Sequence, residues 1–168
     1  MVTINAAPSE SQIAFLPANL AALPETGQMY GRKAHLNLET LLAADPQVVI
    51  DLGDKKGDMT EDLDALQAQI GIPVVFIEAD LAHMAAAFRT LGGLLSGKAD
   101  RGEELAALVD RTTAIAEENA AKITDDMRVC AMYTTGEDGL GTNAAGSVQA
   151  QVLDMVGVEN AVVVEDVS

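Results

Sequence analysis

The residues best suited to chemistry lie in a glycine-rich segment, residues 133–147, between a predicted strand and a predicted helix. Loops at the carboxyl ends of parallel strands are where α/β proteins bind ligands, so we expect this segment to contact one. Within it, Gly139 to Ala144 matches G-x-G-x-x-A, and Glu165 follows about 20 residues further on. Such a turn binds the pyrophosphate of a dinucleotide, and the acidic residue binds its ribose. A dinucleotide-binding α/β enzyme is therefore one hypothesis.

Two features argue against that hypothesis. Five residues separate Tyr133, at the end of the predicted strand, from Gly139, whereas the fingerprint needs an immediate tight turn. The chain also ends before the further strands that a nucleotide-binding fold would add. Glycines in such a segment often do no more than turn the chain. The dinucleotide site therefore stays an alternative and not the leading hypothesis.

Tyrosine and arginine side chains offer a second kind of chemistry. Tyr133 lies at the rim of the glycine-rich segment, and Tyr30 and Arg32 precede the first predicted helix. A phenolate oxygen can ligate ferric iron and a guanidinium pairs with carboxylates, so these side chains suit an anionic iron chelate. Taken singly, each is more often a packing residue or, for Arg32 beside Lys33, part of a solvated pair. We predict as ligand contacts Tyr30, Arg32, Tyr133, Asp138, Gly139 and Thr142.

No residue pattern indicates a catalytic or metal site. His35 and His83 lie far apart in the sequence and lack carboxylate or cysteine partners at ligand spacing, so each is predicted to be a surface or packed histidine. Cys130, the one cysteine, is predicted to be an inert thiol within a buried strand. Because no acid–base pair or activated nucleophile stands out, we predict a protein that is not an enzyme, with no metal ligands and no covalently bound cofactor.

The composition limits the class of protein. Ten basic residues against 26 acidic ones give a formal charge of −16, which argues against neutralising the phosphates of a nucleic acid. Hydrophobic residues make up 49% of the chain and aromatic ones 3%, so a core must consist of Ala, Val, Leu, Ile and Met. No apolar run approaches the roughly 20 residues that span a bilayer. Residues 1–20 lack the basic and apolar regions of a signal peptide.

The hydrophobic pattern predicts alternating strands and helices. Residues 1–35 are predicted to be loop with one short strand at 2–5, because they hold three prolines and no sustained period. Continuous β-branched runs predict strands buried on both faces at 48–50 and 74–77, and further strands follow at 128–133 and 161–164. Helices are predicted at 38–42, 60–68, 81–91, 100–123 and 147–156. Strands joined through helices run parallel, which predicts an α/β fold.

Capping residues predict where several helices begin and end. Asn37 and Thr60 are predicted N-caps, and Asp100 with Glu103 forms a predicted capping box at the start of the longest helix. Gly92-Gly93 is predicted to break the helix before it. The longest helix would be a rod of roughly 30 Å. A rod of that length in a chain of 168 residues predicts two small lobes joined by one helix.

Four segments, in order, resemble one protein family. Residues 37–50, N-L-E-T-L-L-A-A-D-P-Q-V-V-I, and residues 71–75, G-I-P-V-V, are similar to consecutive segments of the ABC-transporter substrate-binding proteins for iron-siderophores, haem and cobalamin. Leu91-Gly92, before the long helix, resembles that family's lead into its linking helix. Residues 138–147 and 157–162 resemble its D-G-L-x-T and G-S loop and the turn that follows. The resemblance covers nearly the whole chain from residue 28 onward.

The resemblance implies an α/β architecture of two small Rossmann-like lobes, with parallel sheets flanked by helices, joined by one long helix. We predict an N-terminal lobe at residues 1–98, a linking helix at 99–124 and a C-terminal lobe at 125–168. Both lobes are expected to be incomplete and the chain to be an internal fragment, because parts of the family pattern have no counterpart here. Exposed sheet edges would then favour a homodimer.

The resemblance also implies a function. It predicts an extracytoplasmic solute-binding component of an ABC importer, periplasmic or lipid-anchored at the cell surface, that binds its ligand in the cleft between the lobes. The ligand would be an iron chelate such as a ferric siderophore, haem or a corrinoid such as cobalamin, and the choice stays open. In that family a carboxylate on each lobe docks on arginines of the membrane permease. Here the acidic candidates are Asp154 and Glu159.

Overall fold

The computed structural model describes residues 1–29, 34–55, 57, 59–143 and 146–162. It confirms the predicted α/β class, with short paired strands and flanking helices. The chain forms two compact units, Met1–Ile77 and Glu78–Ser168. The finer division into a lobe at 1–98, a linking helix and a second lobe from 125 stays a prediction.

The first unit contains the elements that lie before the long helices. They are α1 (Glu10–Ile13), α2 (Ala18–Ala21), α3 (Leu38–Ala43), β1 (Val49–Gly53), α4 (Met59–Ile70) and β2 (Val74–Glu78), whose last residue begins the second unit.

The prediction that residues 1–35 form a loop was wrong for two short helical segments. α1 forms because the Ser9 side chain accepts a hydrogen bond from the Gln12 backbone while the Gln12 side chain accepts one from the Ser9 backbone. This local capping box satisfies helix-end groups without any hydrophobic period. The predicted strand at 2–5 is a single parallel bridge between Ile4 and Glu25.

The starts of α3 and α4 differ in how well the sequence predicts them. Asn37 is the N-cap of α3 as predicted, and its Oδ1 accepts a hydrogen bond from the Thr40 backbone at 3.0 Å. The predicted cap of α4, Thr60, was wrong because the helix already begins at Met59. Met59 is 2% exposed, so burying its side chain extends the helix beyond the predicted cap.

β1 and β2 form a two-stranded sheet, and the Val49 backbone N donates to the Pro73 carbonyl at 2.9 Å where it begins. α4 supplies the crossover between the strands. The prediction that the segments 48–50 and 74–77 are buried on both faces was wrong, since Val48 is 37% exposed while Ile77 is 5% exposed. Burial on both faces requires a covering layer on each face, and the partial exposure of β1 shows that one of its faces is not fully covered.

The second unit continues with α5 (Met84–Leu94), α6 (Ala99–Ala120), a 3-10 turn (Asp125–Met127), β3 (Cys130–Ala131), α7 (Val148–Met155) and β4 (Glu159–Asn160). β3 pairs in parallel with β4, and Cys130 lies opposite Glu159. The predicted strands at 128–133 and 161–164 were too long or displaced, and residues 163 and 164 lie outside the described residues. β3 is no longer than its partner allows, because β4 has only two residues that pair with it.

Glycines allow α5 and α6 to pack closely. The predicted helix break at Gly92-Gly93 was wrong, because both glycines lie within α5. A Cβ on Gly92 would lie 2.9 Å from the Gly102 Cα of α6, and a Cβ on Gly102 would lie 2.6 Å from the Phe88 carbonyl oxygen. Packing therefore accounts for Gly92, and the contact offsets the weak helix propensity of glycine.

The capping box predicted for α6 was also wrong. α6 begins at Ala99, and Lys98 at its N-cap makes no side-chain cap hydrogen bond. Glu103 instead accepts two hydrogen bonds from Arg89 of α5, one from Nε at 2.8 Å and one from Nη2 at 3.0 Å. Nη2 also donates to Asp110 at 2.8 Å. Arg89 thus joins two turns of α6 to α5.

Among the described residues, no helix combines the length and the apolar character needed to cross a membrane.

Candidate functional site

The glycine-rich segment after β3 folds back on itself. Thr135 and Gly141 form an antiparallel bridge, with backbone hydrogen bonds of 2.8 and 3.1 Å in the two directions. Between them the Gly139 backbone N donates to the Gly136 carbonyl at 3.2 Å, which closes a turn. Gly136 and Gly139 have φ angles of 84° and 69°, which side-chain-bearing residues rarely adopt. The glycines are needed for this turn.

Two predicted ligand contacts hold this loop in place. Asp138 Oδ1 accepts a hydrogen bond from the Leu140 backbone at 3.1 Å. Thr142 Oγ1 donates to the Tyr133 carbonyl oxygen at 2.8 Å. Among the described residues nothing donates to the second Asp138 oxygen or to the Thr142 hydroxyl, so both can accept further hydrogen bonds. The side chains that order the loop can therefore also contact a ligand.

The structure brings together four of the six predicted ligand contacts. Tyr133, Asp138, Gly139 and Thr142 all lie in this one loop, and Tyr133 is 41% exposed. Tyr30 and Arg32 lie outside the described residues. The role of all six in ligand binding stays a prediction.

The same loop does not have the form of a dinucleotide turn. Gly139 and Gly141 belong to the bridged turn, while α7 begins later, at Val148, where the Ser147 hydroxyl accepts a hydrogen bond from the Ala150 backbone. The glycine fingerprint needs its glycines at the helix start, where the backbone N–H groups bind the pyrophosphate. Ala144 and Glu165, the other parts of that pattern, lie outside the described residues. The dinucleotide alternative has no support.

The loop after β2 contains a histidine–carboxylate pair. His83 Nδ1 lies 2.6 Å from Asp80 Oδ1, and the His83 backbone N–H donates to the same oxygen at 2.8 Å. The prediction that His83 lacks a carboxylate partner was therefore wrong. The sequence does contain a signal for this pair, the spacing D-x-x-H just before a helix. At this spacing the carboxylate of the aspartate can accept a hydrogen bond from the backbone N–H of the histidine three residues later.

Each member of this pair shifts the pKa of the other. Burial acts to raise the pKa of Asp80, but hydrogen bonds from the side chain and backbone of His83 outweigh it and hold that pKa below its ordinary value. The hydrogen bond to Asp80 raises the pKa of His83, and the negative charge of Glu78 adds to the effect. Glu78, Asp80 and His83 each offer one possible metal-ligating atom, and these atoms lie within 4.8 Å of one another.

A groove of about 570 Å³ lies between α6, α7 and the loop before α5. Gln151 of α7 joins the loop to the helix, because its Oε1 accepts a hydrogen bond from the Leu81 backbone at 3.3 Å. Asp154, one of the predicted docking acids, lines the groove together with Asp110 and Glu117. Glu159, the other predicted docking acid, is exposed in β4. Docking by either residue stays a prediction.

Cys130 is exposed, so its predicted burial was wrong. β3 is two residues long and pairs with β4, and this short pairing leaves the thiol uncovered. Its neighbours Val129 and Met132 are 62% and 51% exposed. The apolar sequence of this segment therefore does not mark a buried strand here.

Three solved structures share the fold. The match to an ABC transporter solute binding protein from Sulfurospirillum deleyianum DSM 6946 covers 99% of this chain and 52% of that protein's chain, at 24% sequence identity and a TM-score of 0.84. IsdE of S. aureus complexed with haem matches 90% and 55%, at 20% identity and a TM-score of 0.62. The periplasmic vitamin B12 binding protein BtuF of Vibrio cholerae matches 93% and 57%, at 17% identity and a TM-score of 0.68. The chain spans about half the length of these proteins.

Two sequence comparisons add to this, and one of them identifies a family. No curated protein matches the chain. None of the comparisons supports the predicted homodimer, which stays a prediction. A family model described as periplasmic binding protein matches residues 17–166. This match covers most of the sequence and confirms the resemblance, and the chain belongs to the periplasmic binding protein family.

Proposed function

We propose that this protein is the extracytoplasmic solute-binding component of an ABC importer, and that it takes an iron chelate, haem or a corrinoid into a cleft between two lobes. The family match over residues 17–166 carries the proposal. The fold similarity to a haem complex and to a vitamin B12 binding protein supports the ligand class. In this role the protein holds its ligand and breaks no bond.

The loop after β3 supplies the proposed contacts on the second unit. Tyr133 carries a phenol oxygen that suits ferric iron or a polar edge of a large ligand. Its backbone is held through Thr142, and the turn that follows is held through Asp138. Because these bonds lie within the loop itself, they lower the entropic cost of ordering it when a ligand binds. Tyr30 and Arg32 are the proposed contacts from the other side of the cleft.

Asp154 and Glu159 are the proposed contacts with the permease. Both are exposed and carry negative charge, as an arginine-bearing partner requires. An importer assay in membrane vesicles would test them with Asp154→Lys and Glu159→Lys. We expect transport to fall while ligand affinity stays within about twofold, because neither residue lies in the proposed ligand loop. Unchanged transport in both variants would remove these residues from the docking surface.

The ligand proposal is tested by tyrosine fluorescence, because the chain has two tyrosines, both proposed contacts, and no tryptophan. The chain is titrated with a ferric siderophore panel, haem, cobalamin, NAD and NADP, and calorimetry is run in parallel to separate binding from light absorption by the ligand. We expect saturable binding of one iron or corrinoid ligand and none of the dinucleotides. Saturation by NAD or NADP instead would contradict the receptor proposal.

A pair of variants in one loop locates the site. Tyr133→Phe removes the phenol oxygen and keeps the ring, and we expect about tenfold weaker binding of the ligand identified in the panel. Leu140→Ala is the matched control, because Leu140 is 86% exposed in the same loop and is not a proposed contact. We expect its affinity to change less than about twofold. Equal losses in both variants would contradict a specific role for the phenol.

A further inference from the structure

We propose that the loop after β2 binds a divalent transition-metal ion directly, through the carboxylates of Glu78 and Asp80 and the imidazole of His83. This goes beyond the proposed function, because the ion is bound by the protein itself and without a chelate. One ligand atom from each of the three side chains lies within 4.8 Å of the others.

The ligands are placed by the ends of two elements. Glu78 is the last residue of β2, and His83 is the N-cap residue of α5. Asp80 lies between them, and its Oδ1 is held by the His83 backbone N–H at 2.8 Å. The backbones of the first and last ligands are therefore held by a strand and a helix, and the middle side chain is held by a hydrogen bond. A site built this way loses little entropy when the ion binds.

The donor set selects the kind of ion. One imidazole nitrogen with two carboxylates is a set that zinc, cobalt, manganese and ferrous iron accept, with water completing the coordination. Magnesium and calcium prefer oxygen ligands alone, so the imidazole disfavours them. Bonds of about 2.0–2.2 Å to one ion hold two ligand atoms at most about 4.4 Å apart, so these side chains, whose ligand atoms lie within 4.8 Å of one another, need only small shifts to bind one ion. His83 has a half-exposed side chain, so it can move away from Asp80 to admit the ion.

The charge around the loop favours the same conclusion. Within the part of the chain that the structure describes, neither Glu78 nor Asp80 forms an ion pair with a lysine or arginine, and Asp80 pairs with His83. The carboxylate of Glu78 therefore lies close to the Asp80–His83 pair, with no lysine or arginine paired to either carboxylate among the described residues. A divalent cation would balance both charges, in a protein whose formal charge is −16.

Zinc chloride alone is the probe, titrated by calorimetry into the chain in a buffer without chelator or phosphate, and cobalt chloride serves in a parallel visible-absorption titration. We expect one zinc ion per chain with micromolar affinity, and cobalt bands of nitrogen and oxygen ligation. His83→Ala should weaken zinc binding by about tenfold or more. A wild-type chain that binds zinc no better than magnesium would overturn the proposal.

Two further variants separate a metal site from a purely structural pair. Glu78→Gln leaves the contact between Asp80 and His83 in place, and we expect it also to weaken zinc binding by about tenfold. His35→Gln removes the other histidine and should leave the affinity within about twofold. Circular dichroism confirms that each variant is folded. Zinc binding that survives both Glu78→Gln and His83→Ala, or that is lost in His35→Gln, would contradict the site. None of these results depends on whether the chain binds haem or a corrinoid.

Discussion

Glycine is required for different reasons in the α5–α6 helix pair and in the loop after β3. In the helix pair, Gly92 and Gly102 are there because a side chain would not fit, since a Cβ at either would lie within 3 Å of backbone atoms of the other helix. In the loop, Gly139 is there because its φ of 69° disfavours a side chain, while a Cβ would meet no atom closer than 3.8 Å. Glycine thus lets the two helices approach closely, whereas in the loop it allows a backbone with positive φ.

The two regions of the second unit are also stabilised in different ways. The helix pair is closed by packing and by Arg89, which contacts Glu103 and Asp110 of the neighbouring helix. The loop is closed by its own turn and leaves Tyr133 exposed. A tightly packed helix pair and an ordered, exposed loop in one unit suit the proposed ligand-binding role. Substitutions in the two regions should therefore differ in size and in what they affect.

The largest effect is expected from adding one methyl group between the helices. Gly102→Ala places a Cβ 2.6 Å from the Phe88 carbonyl oxygen, so the helices must separate. We expect the free energy of unfolding to fall by about 2 kcal/mol, as overpacking typically costs. Urea unfolding followed by circular dichroism measures the change.

Gly93→Ala is the matched control for that substitution. The same methyl group at Gly93 meets no atom within 4 Å, and the residue lies in the same region of α5 as Gly92. We expect it to raise the free energy of unfolding by up to about 1 kcal/mol, because alanine has the higher helix propensity. Equal destabilisation by both substitutions would show that close packing at Gly102 is not the cause.

An intermediate effect is expected in the loop. Gly139→Ala imposes a side chain at a φ of 69°, which costs about 1 kcal/mol for a single residue. Because the loop is exposed, we expect part of this strain to appear as a changed loop conformation and weaker ligand binding. Gly139→Asn should lose less, since asparagine tolerates left-handed backbone. If alanine and asparagine behave alike in unfolding and in ligand titration, the positive φ is not what requires glycine here.

The smallest effect is expected at the exposed contact between Arg89 and Glu103. The hydrogen bond from Arg89 lowers the pKa of Glu103 below its ordinary value, so this pair stabilises the fold above that value and loses its effect as the pH falls through the lowered pKa. We expect Glu103→Gln to lower the midpoint of urea unfolding at pH 7, and the difference from the wild type to shrink below pH 4 or so and in high salt.

Glu104→Gln is the control for that experiment. Glu104 pairs with Arg101 within α6, so this ion pair does not join the two helices. We expect a smaller change at pH 7 than in Glu103→Gln, because pairs within one exposed helix contribute little. A larger change in Glu104→Gln would contradict the view that Arg89 stabilises the packing of α5 against α6.

Local signals in the sequence predicted much of the fold and which of the proposed ligand contacts share a loop. Asn37 was predicted as a cap because the hydrogen bond it makes is local, and local contacts depend on spacing alone. The proposed ligand contacts Tyr133, Asp138 and Thr142 lie in one loop as predicted, because they are close together in the chain after a predicted strand. The pair of Asp80 and His83 was missed, although its spacing is equally local, because a carboxylate three residues before a histidine is common without contact.

The sequence by itself determined the α/β class, the order of the helices from α3 to α7 and the family, because these depend on hydrophobic period, capping residues and motifs that lie along the chain. Only the tertiary structure decided the roles of Gly92, Glu103 and Cys130. Gly92 packs against Gly102, Glu103 contacts Arg89, and Cys130 is exposed within a two-residue strand. Each of these outcomes depends on a partner or a covering layer that sequence spacing does not identify, since contact between elements is set by how they pack.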